Sequence, residues 1–440
     1  MNIIAIDCGA SFLKGACLKN QQIIKKIQEC APQVSLEREL TEIVQIEKLV
    51  ASVYNMVMKL SEGLEQFRLC ISNEMHGFLL AYEDGRPYTD YISWQKEYGA
   101  VKIAGKSSMD ILGEKAYADT IADTGMPLRA GLPVCNLLYL SRQGYLNKTS
   151  GKLFFYTLGD YILKRLSGQE PVCHPTNAAA TGLYELRSGR WNQRLLQTIG
   201  GEIVFPAIGT ENVRFGLPGK TLVTARPALG DQQAALYGAG VLTENTISFN
   251  LGTGAQVSTV VRKLSKVPGC QLRPYFNGAY LKTIPFIPSG RALNVYIRFV
   301  KDVLDKFGVH REDDNIWDIL LQEEKKVKTS DLLCDMSFFE NAITDHTRGS
   351  IYNISEYTLT LGNLMHSVLD EMKHNILLAA DRVGPQPELV DTVIFSGGIA
   401  KKIERLRADI LGHYAKDVKV VIAADETLHG LYKYGADSSF

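Results

Sequence analysis

Residues 2–19 read NIIAIDCGASFLKGACLK, and residues 246–261 read TISFNLGTGAQVSTVV. Each is a short apolar run that halts at a cluster of small residues and then resumes, which is the pattern of two strands joined by a tight turn. Asp7, Gly9 and Ser11 of the first stretch fall opposite Asn250, Gly252 and Gly254 of the second. Two hairpins of one design, about half a chain apart, predict a duplicated architecture.

The segments around them alternate in kind. IEKLVASVYNMVMKLSEGLEQ (46–66) has apolar residues at three-and-four spacing and predicts an amphipathic helix, followed by a strand at FRLCIS (67–72). YTLGDYILKRLSG (156–168) and WNQRLLQTIGG (191–201) read as helices ended by glycine. A long helix at 359–384 leads into the strand DTVIFSGG (391–398) and a helix at 400–414. Strands alternating with helices predict α/β domains. A chain of 440 residues suggests two of them, placed here at 1–240 and 241–440, with a hinge around GVLTENT (240–246).

Composition narrows the function classes. Lysine plus arginine equals aspartate plus glutamate at 48 each, so the net balance attracts neither nucleic acid nor an anionic membrane. The eight cysteines (Cys8, Cys17, Cys30, Cys70, Cys135, Cys173, Cys270, Cys334) form no C-x-x-C pair and read as reduced core residues of a cytoplasmic protein. The opening segment lacks a cationic leader and carries Asp7 and Lys14, so it does not read as a signal peptide. No uninterrupted run of about 18 apolar residues predicts a membrane span. The histidines form no H-E-x-x-H or Cys/His group that would hold a metal directly.

Four motifs carry chemistry. In IDCGASFLK, small residues Gly9, Ala10 and Ser11 let backbone N–H groups approach an anion, Asp7 can hold Mg²⁺ through water, and Lys14 can answer phosphate charge. Alone, it reads first as a tight hairpin with an exposed acid. NLGTGAQVS repeats the equipment with Gly252, Thr253 and Gly254, and IFSGGIAKK ends a strand at Gly397 and Gly398 before a helix, where a flat nucleotide base or ribose could approach. Alone, that glycine pair equally serves close strand–helix packing. In ALGDQQAALYGAG (228–240), Asp231 stands where a strand-like run gives way to a helix; by itself it reads as a helix N-cap. Taken in order, two phosphate hairpins and a strand-Gly-Gly-helix predict an α/β, two-domain actin-like ATPase (ribonuclease H-like) fold, with duplicated domains gripping ATP across an interdomain cleft. Asp231 falls just before the second hairpin.

In these motifs the sequence resembles the FGGY carbohydrate kinases over nearly its whole length. GDQQAALYG is similar to the family's catalytic segment, which implies that Asp231 takes the proton of the attacking sugar hydroxyl. ISNEMHGFLLAYEDGRPYTDYISWQ is similar to its sugar-binding segment, which implies Met75, His76, Trp94, Gln95 and Gln232 around the sugar. SWQ, HPTNAAATGLYE with Asn177, and the stretch from RPYFNGAYLK to Gly290 are similar to sedoheptulokinases, which implies a ketose acceptor with Gly290 bordering the nucleotide. The resemblance implies ATP and Mg²⁺ and a small-molecule sugar partner; the charge balance predicts no nucleic-acid or membrane partner, and a homodimer is an assembly to test. Departures from the family pattern are Ala10 for Thr, Phe12 for a small residue, Glu74 for Gln before Met-His, and Lys96 for Asp. Alternatives are a xylulokinase or another sugar or polyol kinase of the family. An actin-like nucleotide-binding protein that phosphorylates no sugar and a sugar-binding pseudokinase belong to other classes. Asp231, near a helix start, is expected to be ionised at neutral pH.

Overall fold

The computed structural model describes residues 1–32, 45–148, 151–265 and 267–437. The chain divides into two compact units, Met1–Gly240 with Leu272–Tyr280 and Asp425–Phe440, and Val241–Gln271 with Leu281–Ala424.

In the first unit, β1 (Ile3–Cys8) turns back into β2 (Phe12–Lys19) and then β3 (Gln22–Cys30). Helix α1 (Gln45–Leu60) leads to β4 (Gln66–Asn73), which runs parallel to β1 with Asp7 beside Ser72. Helix α2 (Leu158–Ser167) follows, then β5 (Val213–Leu217), β6 (Lys220–Ala225) and α3 (Asp231–Ala239). The sheet order is β5-β6-β4-β1-β2-β3. The residues of α1 that recur at helical spacing, Ile46, Leu49, Val53, Met56, Val57 and Leu60, are buried against Ile4, Ile6, Leu13 and Ile71 of the sheet. Each such side chain contributes on the order of 1.5–3 kcal/mol of transfer free energy, and together they fix which face of the sheet α1 covers.

The second unit repeats the plan. Strands β7 (Thr246–Leu251) and β8 (Ala255–Val261) form a hairpin, followed by β9 (Tyr280–Ile287) and α4 (Gly290–Lys306). Helix α5 (Leu361–Val383) leads into β10 (Thr392–Ser396), which lies parallel to β7, and β11 (Lys419–Ile422) completes the sheet path β9-β8-β7-β10-β11. The first unit contains the matching path β3-β2-β1-β4-β6, with the same antiparallel hairpin and the same parallel neighbour. Two units built on one strand order form the α/β actin-like ATPase (ribonuclease H-like) fold. The core of the second lies under α5, where Val368, Leu369, Met372 and Ile376 meet Phe249, Val257 and Phe395.

Local structure departs from the sequence-based expectation at several points. The strand-like run 221–230 stops at Ala225, where Pro227 supplies no N–H, and Leu229–Gly230 then pairs with the end of β4. The helix expected over 400–414 is two pieces, Gly398–Lys402 and Glu404–Leu411, parted at Ile403 (φ −112°, ψ 90°). The Arg407 guanidinium donates to the carbonyls of Ala400 and Lys401, which the break leaves without helical partners. Residues 425–437 lie with the first unit rather than following the division at 240/241. There α6 (Glu426–Ala436) crosses α3 at Gly238 and Gly430, so closely that a methyl group on either glycine would collide with backbone of the other helix.

Candidate functional site

In the first unit the sheet delivers acidic side chains from three segments. Asp7 is the penultimate residue of β1, buried, and accepts from the Ser72 hydroxyl at 2.9 Å; Lys14 stands opposite it across the hairpin. Glu74 follows β4, its own N–H bonded to the Cys8 carbonyl at 2.9 Å. Asp231 is not an N-cap. Gly230 holds that position, and Asp231 is the first residue of α3, with its carboxylate accepting from the Gln232 N–H at 2.7 Å.

These three carboxyls share one field. Burial pushes Asp231 up to about 7, Asp7 and then Glu74 add to the rise, and the Gln232 N–H and Arg273 oppose it. The expectation of a fully ionised Asp231 is therefore corrected: desolvation and two like charges outweigh the favourable helix start. Burial likewise raises Asp7 to about 6 against the pull of Ser72 and Lys14, with Glu426 adding slightly. Glu74 is also raised by burial, with Tyr91 and Trp94 drawing it partly back.

Around the acids stand the residues expected at the sugar. Met75 is buried, and its sulfur lies 3.3 Å from an Arg273 nitrogen. His76 adopts φ 67°, unusual for a residue with a side chain, and its Nδ1 lies 2.7 Å from the Ala180 carbonyl. Burial, with Arg273 and Arg129 nearby, pushes His76 down to about 3; the ring is neutral, with Nδ1–H donating and Nε2 free to accept. Trp94 and Gln95 are exposed, Trp94 by 43%. Gln232 accepts from Arg273. Asn177 is placed differently. It is buried, and its amide donates to Asn73 and to the Ala228 carbonyl, both at 2.9 Å, so it fixes the end of β4 and its amide nitrogen is spent on the protein.

The hairpin turn of this unit is open. Ala10, Ser11 and Phe12 are exposed, and Gly9 donates to the Phe12 carbonyl at 3.1 Å. Among the described residues no hydrogen bond engages the N–H groups of Ala10 and Ser11.

The second unit, taken by itself, gathers Gly252, Thr253, Gly290 and Gly397. The N–H groups of Gly290 and Arg291 at the head of α4 donate to the carbonyls of Gly252 (3.1 Å) and Thr253 (2.7 Å), and the Ser289 hydroxyl also reaches Gly252 (3.0 Å). With its carbonyls turned toward α4, the turn presents Thr253 and Gly254, both exposed, whose N–H groups bond nothing among the described residues. Gly397 has φ 90° and sits so close to the Leu251 carbonyl that a side chain would collide with it. Gly398 meets nothing within 4 Å. This is a cradle of backbone donors without acidic side chains, suited to phosphate.

Sequence reasoning gave no role to Arg273 or Gln233. Arg273 is buried and lowered by that burial to about 10, while Asp231 pulls the other way. Gln233 is buried with neither polar side-chain atom bonded. The one sequence signal for Arg273 was an arginine inside an apolar strand-like run.

Comparison with known proteins bears on both units. Residues 2–225 match the family model described as the N-terminal domain of the FGGY family of carbohydrate kinases. An apulose kinase of Pectobacterium atrosepticum is 24% identical over 277 residues, covering 59% of this chain and 54% of that protein. A human sedoheptulokinase is 21% identical over 271 residues, covering 58% and 56%. The chain thus spans about half the length of the curated relatives it matches. The crystal structure of a ligand-bound xylulose kinase from Lactobacillus acidophilus superposes with a TM-score of 0.80 at 18% identity, covering 98% of this chain and 88% of that one.

Proposed function

Because the chain belongs to the FGGY family of carbohydrate kinases, we propose that it transfers the γ-phosphoryl group of ATP to a hydroxyl of a ketose, with sedoheptulose as the first acceptor to test. The observation that carries this reading is the placement of Asp231, the first residue of α3, in the field of Asp7, Glu74 and Arg273, which with burial brings its pKa up to about 7. That is where a general base works best at neutral pH. Similarity to the human sedoheptulokinase supports the choice of acceptor, and similarity to the xylulose kinase structure makes xylulose the second.

In this reading the residues up to 240 serve the acceptor. Met75, His76, Trp94, Gln95 and Gln232 orient it, and Asp231 accepts its hydroxyl proton as the oxygen attacks. Phosphoryl transfer asks for positioning and charge neutralisation more than covalent chemistry, so a base that receives its proton late is adequate. Residues 241–440 serve the nucleotide, with Gly252, Thr253 and Gly254 on phosphates and Gly290, Gly397 and Gly398 beside ribose or base. The turn at Gly9, Ala10 and Ser11 and the Lys14 ammonium are further phosphate-binding groups in this reading.

Asp7 fits an outer-sphere role toward Mg²⁺. It is a buried carboxyl near the end of β1, with Lys14 opposite it and the Ser72 hydroxyl donating to it. Mg²⁺ bound with the nucleotide supplies neutralisation of phosphate charge. Among the described residues no helix is long and apolar enough to cross a membrane. A cytoplasmic enzyme acting on a dissolved sugar, assembled as a homodimer, completes the reading, and sedimentation velocity tests the assembly.

The deciding experiment incubates the protein with ATP, Mg²⁺ and pooled ketoses and identifies the product by mass. Asp231→Asn should bind ATP as before but lose sugar-dependent ADP release by roughly a hundredfold or more. A variant that turns over at the wild-type rate, or a wild type that phosphorylates no ketose, overturns the reading.

A further inference from the structure

We propose that Glu74 selects the acceptor by charge: its carboxylate receives one hydroxyl of the sugar beside Asp231 and turns away acceptors that themselves carry a carboxylate. This rests on the kinase reading above. Glu74 stands where the resembling family carries a neutral glutamine, so the charge is this chain's own.

The geometry begins with the partners of each acid. Asp7 has Lys14 across the hairpin and the Ser72 hydroxyl at 2.9 Å. Asp231 has Arg273 within electrostatic reach and the Gln232 N–H at 2.7 Å. Glu74 has the neutral Tyr91 and Trp94 beside it and Asp231 within electrostatic reach, and among the described residues no ion pair includes it. It is 7% exposed, and its Oε2 has no hydrogen-bond partner. The buried Tyr91 hydroxyl lies within reach of Glu74 and favours its ionised form, yet no hydrogen bond of good geometry closes between them. Gln233, two residues past Asp231, adds an unbonded amide.

Buried polar atoms left without partners are costly, and natural proteins tolerate them mainly where a ligand or water completes them. Here they flank the proposed base, and the set is complementary to hydroxyls, which both donate to a carboxylate and accept from a phenol or amide. A sugar acid would instead bring a second anion against a carboxylate that no cation balances. At a separation of about 6 Å and an effective dielectric near 20, such repulsion is worth about a factor of ten or more in affinity. The arrangement therefore favours a neutral acceptor over an aldonate of equal length.

The test uses D-sedoheptulose and D-xylulose as neutral probes and D-gluconate as the anionic one, at pH 8. kcat/KM is measured with ATP and Mg²⁺, and Kd by calorimetry without them, for the wild type, Glu74→Gln, Glu74→Leu and Glu74→Asp, with thermal melts confirming folding. Expected are a wild-type preference for the neutral sugars over gluconate of about a hundredfold, a narrowing of that ratio by about tenfold or more in both the Gln and Leu variants, and its retention in Glu74→Asp. A wild type that accepts gluconate as readily as the ketoses overturns the proposal, as does an unchanged ratio in a folded charge-free variant. Binding that shows the preference and its loss without any phosphorylation sinks the kinase reading and leaves the charge filter standing. No binding of either neutral sugar by the wild type overturns the filter.

Discussion

The two hairpins that open the units share a backbone and differ in charge. In the first, Asp7 pairs across the strands with Lys14 and lies beside Ser72 of the parallel neighbour. In the second, Asn250 occupies the same place, opposite Gln256 and beside Ser396. A charged pair in one copy is a pair of neutral amides in the other. The first turn spans Gly9 to Phe12 and the second only Gly252 to Gly254, tied down by α4. One scaffold has thus been given two electrostatic characters. The acidic copy raises the pKa of its neighbour Asp231, whereas the neutral copy leaves backbone N–H groups as the dominant field, which suits anions.

Making the first copy like the second should have the largest effect. Asp7→Asn is expected to lower kcat by roughly a hundredfold or more, because the carboxylate proposed to orient hydrated Mg²⁺ is lost. It should also move the acid limb of kcat/KM, which in the wild type falls below about pH 7 as Asp231 gains a proton, to lower pH, since the nearest like charge is gone. A limb that stays put shows that Asp7 does not set the base. The same linkage has a stability sign. Asp231 is raised in the folded protein, so its ionisation destabilises the fold above about pH 7, and that penalty fades as pH falls toward the ordinary carboxylate range. Asp231→Asn should accordingly melt higher than the wild type at pH 8, by an amount that vanishes near pH 4.

Next in size is Gly397→Ala, which places a side chain at φ 90° against the Leu251 carbonyl. A loss of about 2–4 kcal/mol in denaturant unfolding is expected, with nucleotide binding lost alongside. Asn250→Asp makes the second copy like the first, and should raise KM for ATP by about tenfold with kcat nearly held. Gly254→Ala sharpens the contrast from the other side. Nothing lies within 4 Å of the added methyl group, so stability should shift by less than about 0.5 kcal/mol. A rise of a few-fold in KM for ATP would then report the approach of phosphate itself.

Much of this was legible in the amino acids because hairpins are local. The strands Phe12–Lys19 and Ala255–Val261 end where the apolar runs end, and α3 begins one residue before the start that an N-cap at Asp231 implied. What escaped depended on residues far apart. Arg273 meets Gln232 across 41 residues, and nothing in QLRPY announces that partner. The protonation of Asp231 was misjudged because the helix-start rule is local, while Asp7 and Glu74 reach it from other segments of the chain. The break at Ile403 escaped because 400–414 has an unbroken helical pattern, and the freed carbonyls are satisfied by Arg407 only once the chain has turned. Partners were equally hidden for Asn177, whose amide donates to Asn73 and the Ala228 carbonyl, both far from it in sequence.

Helix α6 has a consequence for how far a single substitution can be felt. It crosses α3 at paired glycines, and its Gly435 packs against Ile3 of β1 and Cys70 of β4. The strand that bears Asp7 and the helix headed by Asp231 are thus clamped by one segment distant from both in sequence. A bulky residue at Gly430 or Gly435 should therefore loosen both carboxyls together while touching neither.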